Sequence, residues 1–121
     1  MNSNETRSAA TALAVDVICV ALFATVGRRS HAEGITLTGV LHTAWPFLSG
    51  TAVGWLASRA WRRPLAAVPT GLTIWLCTVI IGMLLRKATS AGVAGSFIVV
   101  ASVVTALSLL GWRAVATLIK R

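Results

Sequence analysis

Four stretches of this chain, residues 8–27, 38–58, 68–86 and 92–113, are long enough and apolar enough to leave water altogether. A helix crosses the hydrocarbon of a bilayer with about 20 mostly apolar residues. Each stretch is apolar around the whole helix rather than along one stripe, as a helix in lipid is. Charged residues make up only 12% of the chain and hydrophobic residues 56%, whereas a soluble domain is roughly one-quarter charged. So few charges cannot cover a surface that faces water. The expected fold class is therefore all-α: a polytopic membrane protein with four transmembrane helices in a bundle, one domain over residues 1–121. The connections "RRSHAEGITL", "RAWRRPLAAV" and "RKATSA" are short and leave no soluble domain to carry catalysis.

The first run follows Arg7, as the core of a secretory signal would. It is longer than the roughly 7–15 apolar residues of such a core, contains Asp16, and shows no small-x-small cleavage site ahead of a mature domain. It reads as a retained helix.

The net charge of +8 would point to nucleic acid in a soluble protein. Here the basic residues sit at the ends of the apolar runs, where Lys and Arg meet anionic headgroups. Membrane lipids are the expected partners and nucleic acid is not. Sorting the basic residues by side puts Arg7, Arg59, Arg62, Arg63, Arg113, Lys120 and Arg121 on one face and Arg28, Arg29, Arg86 and Lys87 on the other. By the positive-inside rule this places both termini in the cytoplasm. Trp61 and Trp112 stand where aromatic anchors are common, and Pro64 and Pro69 flank the start of the third helix.

Asp16 lies roughly 10–12 Å inside the hydrocarbon at 1.5 Å per residue. A carboxylate at that depth faces the bundle interior, finds a partner or takes up a proton, and is a functional-site candidate by default. At similar depth the other helices offer Gly50 and Thr51, Trp75 and Thr78, and Thr105, so Asp16, Trp75, Thr78 and Thr105 form a candidate intramembrane ion or proton site. Arg113 and Arg59 are the nearest cations, and Arg113 is the ion-pair candidate.

Small residues mark helix contacts. Gly50 and Gly54 form G-x-x-x-G in "SGTAVGW", and Gly82 lies on one face of the third run with Gly71, Trp75, Thr78 and Arg86. Such spacing lets backbones approach closely, within one chain or between copies. Pro46 stands inside the second run, where it loosens the helix and frees a carbonyl. His42 and Trp45 share its turn. Arg28, Arg29, His31, His42 and Arg86, with Lys87, crowd one face of the membrane and form a candidate site for an anion or a lipid headgroup.

Cys19 and Cys77 lie inside the first and third runs, where thiols act as apolar filler. With no His or carboxylate cluster beside them they make no metal site, and His31 and His42 are not placed to hold haem. No cofactor is expected.

Several short strings follow Asp16 in a characteristic order: "GRRSH" at Gly27 to His31, "PF" at Pro46 and Phe47, "GMLLR" at Gly82 to Arg86, "SFIVVA" at Ser96 to Ala101, and "GWR" at Gly111 to Arg113. Together they resemble a family of small bacterial and archaeal membrane proteins, the domain of unknown function numbered 3054. The resemblance spans Asp16 to Arg113. It implies a cell-membrane location and directs attention to Asp16, Arg28, His31, Arg86 and Arg113, while implying no activity, substrate or cofactor. In layout alone the chain is also similar to small multidrug transporters, four-helix dimers with an acidic residue in the first helix, although the sequence details differ.

Two functions follow. In the first, the chain is a proton- or ion-linked transporter or channel for an unidentified small solute, working through Asp16 as a dimer or higher homo-oligomer, since four helices enclose little space. In the second, it is a non-transporting interaction or lipid- and anion-binding module in which Asp16 fixes helix register. Enzyme activity is not expected: Asp16, His31 and His42 have no nucleophile, phosphate loop or paired carboxylate beside them.

Overall fold

The computed structural model describes residues 3–29, 37–89 and 95–120. Among them the chain forms four α-helices and no strand: α1 (Ser3–Arg29), α2 (Leu37–Ser58), α3 (Leu72–Ala88) and α4 (Gly95–Lys120), with one π-helical turn (Ala67–Gly71) leading into α3. The protein is an all-helical bundle. α1 and α4 extend beyond the apolar runs, α1 beginning in the polar N-terminal segment and α4 continuing past Arg113 through "AVATLIK", where nothing breaks a helix.

The bundle carries polar groups inside an apolar core and is apolar outside as well. Ile18, Leu22 and Val26 on α1, Ile80 and Leu84 on α3, and Val103, Leu107, Leu118 and Ile119 on α4 are all exposed. Asp16, Thr51, Thr78, Thr105 and Arg113 are buried. Water favours the reverse arrangement, whereas lipid favours this one. Among the described residues three segments have the length and apolarity to cross a membrane: Arg7–Val26, Ala67–Ala88 and Ile98–Ile119. Four crossings are expected from sequence, and α2 departs from the other three. With 22 residues it has the length, but it carries His42, Pro46, three glycines and three threonines, and much of its surface is spent on its neighbours. Gly39, Thr43, Ala44, Pro46, Phe47, Gly50, Thr51, Gly54 and Trp55 are all buried, and α2 packs chiefly on α3 and then on α1.

The inward faces repeat by threes and fours, the spacing that stacks side chains on one side of a helix. On α1 they are Ala12, Asp16, Val20 and Ala24; on α4, Ala101, Thr105, Leu109 and Arg113. The α3 face runs through Gly71, Ile74, Thr78 and Gly82, so Trp75 lies beside this stripe and is only half-buried. The α2–α3 contact is set by glycine. A Cβ on Gly50 would lie 2.5 Å from the Cys77 carbonyl oxygen and 2.8 Å from Thr78 Cα, and one on Gly54 would lie 2.7 Å from Ile74 Cα. Gly82 leaves room for the Phe47 ring, which meets Phe23 edge-on at 5.1 Å. The G-x-x-x-G pair thus serves packing inside one chain. α2 remains helical through Pro46.

The α2–α3 connection folds inward. Arg59 ends α2 with φ 52°, and the Ala60 N–H bonds back to the Trp55 carbonyl at 3.1 Å, a Schellman-type cap. Ala60, fully buried, packs with Trp55, Ala12, Ile74 and Leu109. The next turns run under the C-terminal part of α4, where Thr117 Oγ1 donates to the Leu65 carbonyl at 3.5 Å. Arg7, Leu65 and Ala116 line a common cavity. The N-terminal end of α1, the α2–α3 connection and the C-terminal end of α4 therefore lie at one end of the bundle.

Candidate functional site: a caged aspartate–arginine pair

Asp16 sits at the midpoint of α1, with thirteen helical residues on either side. The i+4 stripe of α1 turns it inward, as the stripe of α4 does Arg113, and both side chains have 0% exposure. They meet end to end. Arg113 Nη1 donates to Asp16 Oδ1 at 2.8 Å and Nη2 to Oδ2 at 2.7 Å, the bidentate geometry that makes arginine–carboxylate pairs strong and directional.

Two indoles complete the carboxylate's shell. Trp55 Nε1 donates to Oδ2 at 2.8 Å and Trp112 Nε1 to Oδ1 at 2.9 Å. Each oxygen thus accepts two N–H bonds, which fills the four acceptor sites of an ionised carboxylate. Arg113 is held as closely: its Nε donates to the Pro64 carbonyl at 2.9 Å and Nη1 also to the Leu109 carbonyl at 3.0 Å. Its guanidinium carbon lies 4.6 Å from the centre of the Trp112 ring, a cation–π contact. Gly71 admits the arginine stem, since a Cβ there would lie 2.9 Å from Arg113 Cδ. The pair joins α1, α2, α4 and the α2–α3 connection at one point.

Trp75, Thr78 and Thr105, grouped with Asp16 by depth alone, do not bond to it. Trp75 Nε1 donates to the Ser102 carbonyl at 3.0 Å, tying α3 to α4. Thr78 and Thr51 share a hydroxyl contact of 2.7 Å and return bonds to the carbonyls of Ile74 and Phe47. Thr105 donates to the Ala101 carbonyl. These hydroxyls satisfy their own helices, as Ser and Thr in apolar surroundings commonly do.

The second candidate group is not gathered by the described residues. His31 lies outside them, and Arg28 and Arg29 are described only as the last backbone residues of α1. His42 is exposed on α2, and Arg86 is half-buried near the end of α3. Cys19 and Cys77 are free and half-buried. No cluster of three metal-ligating side chains occurs among the described residues.

Trp55 and Trp112 are the site residues that sequence reasoning missed. Trp55 continues the stripe of Phe47 and Thr51, and a buried indole N–H needs an acceptor, which is the signal that could have found it. Depth counting hid it. Trp55 lies three residues from the end of α2, and the connection beyond folds inward, burying Ala60 and bringing the Pro64 carbonyl to Arg113.

The fold and site define a class: a small, helical, membrane-compatible bundle organised around one buried ion pair. Comparison with protein families matches residues 13–116 to a family described as protein of unknown function, DUF3054. The chain belongs to that family. No curated protein and no solved structure matches it.

Proposed function

We propose that this protein is a non-transporting membrane module, in which the Asp16–Arg113 pair is a structural tie and the basic ends of the bundle hold anionic lipid. The reading rests on the occupancy of Asp16: all four of its acceptor sites are filled by N–H donors of the same chain. A carboxylate that carries protons or cations must release its partner in every cycle. Here that release would strand a buried guanidinium and two indoles, at several kcal/mol for the charge alone. The expectation of a proton- or ion-linked transporter loses its working group by this argument, and the oligomer it called for loses its motive. α2 completes a fourth crossing in this reading, shielded by α1 and α3. The family resemblance supports a cell-membrane location, and the excess of basic residues at the end that holds Arg7 and the α2–α3 connection supports cytoplasmic termini.

Proteoliposomes holding the native chain or Asp16→Asn, matched for size in detergent, test this. Neither is expected to pass protons or monovalent cations, and the variant is expected to unfold more readily. Flux in the native protein that a folded Asp16→Asn variant has lost would overturn the reading.

A further inference from the structure

A second polar feature lies at the same end of the bundle, outside the ion pair. Where α2 ends and the π-helical turn begins, Ser58, Arg59, Arg62, Arg63, Pro69 and Thr70 line a cavity of about 290 Å³. That is at the small end of the roughly 300–1,000 Å³ typical of ligand pockets. The three arginines are exposed, and none makes an ion pair with a described residue. Thr70 is only 2% exposed, and its hydroxyl bonds to no described residue. Thr51, Thr78 and Thr105, by contrast, donate to carbonyls of their own helices. A buried hydroxyl without a partner costs free energy. Thr70 lines the cavity together with Arg59, Arg62 and Arg63.

The chain has few carboxylates with which to neutralise these arginines. It has three acidic and eleven basic residues, and Asp16 is bound to Arg113, which leaves two carboxylates for ten cations. Guanidinium forks pair with the oxygens of tetrahedral oxyanions in two-pronged fashion, and a hydroxyl donor suits an oxyanion that already has cations around it. We infer that the cavity is a binding site for a phosphate group, held by Arg59, Arg62 and Arg63 at its mouth and by the Thr70 hydroxyl at its wall. Phospholipid headgroups and free phosphate share this chemistry. The inference deepens the lipid-holding part of the proposed function by assigning it a site.

The test titrates the full chain in detergent with short-chain phosphatidic acid, with inorganic phosphate and with phosphatidylcholine as the weakly recognised control. Saturable binding of phosphatidic acid is expected to fall about tenfold in Arg62→Gln/Arg63→Gln and about fivefold in Thr70→Val, which removes the hydroxyl at constant charge. Thr70→Ser should restore it. Phosphatidic acid binding far better than inorganic phosphate identifies a lipid headgroup as the ligand, whereas inorganic phosphate binding equally well and competing with it identifies free phosphate; either supports the site. Arg62→Lys/Arg63→Lys and Thr70→Val keep every charge and remove only the guanidinium forks or the hydroxyl, so native phosphatidic acid affinity in both folded variants would overturn the site. Saturable lipid binding would then still stand with the lipid-holding reading. Absence of saturable binding to either probe in the native chain would overturn both. Each variant is checked for native size and melting, and Thr70→Ser keeps the test decisive if Thr70→Val fails to fold.

Discussion

Asp16 and Arg113, 97 residues apart in sequence, face each other through two hydrogen bonds of 2.8 and 2.7 Å with no surface exposed on either side chain. Because the indoles of Trp55 and Trp112 bond the same carboxylate, the contact ties together helices from both halves of the chain. A buried pair of this kind need not add net stability over apolar residues of the same volume. Breaking it from one side, however, leaves a charge without a partner.

Asp16→Leu and Arg113→Met are each expected to destabilise the bundle by about 3–5 kcal/mol, while the two combined recover part of that loss, the indoles of Trp55 and Trp112 staying without their acceptor. Unfolding of the purified protein in detergent, run as a double-mutant cycle, measures the coupling. Single and double variants losing stability additively would show that the two side chains do not act as a pair.

Trp55→Phe keeps an aromatic ring but removes the indole N–H and leaves a small cavity, the lost bond to a charged group alone being worth about 1.5–3 kcal/mol. Trp112→Phe is expected to cost less, because Trp112 is only half-buried and phenylalanine retains an aromatic face for Arg113. Thermal melts of both variants check the order.

Glycine positions divide by what lies opposite. Gly50→Ala places a methyl group on the backbone of α3 and should destabilise by about 1–3 kcal/mol as overpacking does. Gly111, inside α4, has nothing within 4 Å of an added Cβ, so Gly111→Ala should stabilise by about 0.4–1 kcal/mol. Paired melting curves of opposite sign are the expected result.

Arg59 occupies the left-handed region that glycine takes without penalty. Arg59→Gly should therefore raise stability by up to about 1 kcal/mol while weakening phosphate binding. A stability assay and a binding assay that move in opposite directions would separate the two demands on this residue.

Much of the architecture was legible before any coordinates. The apolar runs announced the helices, because a chain with so few charges cannot cover a surface in water. The helix bounds were less legible: Arg113 reads as the end of an apolar run, yet α4 continues to Lys120, since the charge is neutralised inside the bundle rather than at its edge. α2 reads like the other three by length, but much of its apolar and small-residue surface belongs to α1 and α3.

The candidate site was half legible. Asp16 stood out because a carboxylate in an apolar run needs an explanation, and Arg113 was among the cations within reach of it. Trp75, Thr78 and Thr105 were grouped with Asp16 by depth, which fixes height in the membrane but not rotation about each helix axis. Rotation is decided by packing: glycines set α2 against α3, and the inward-folded connection carries Trp55 and Pro64 to the pair. The helical content, the apolar exterior and the need of Asp16 for a partner follow from the transfer free energies of single residues. Which donors meet that carboxylate, and that the Thr70 hydroxyl bonds to no described residue, were set by packing, because they depend on angles and distances between segments far apart in the chain.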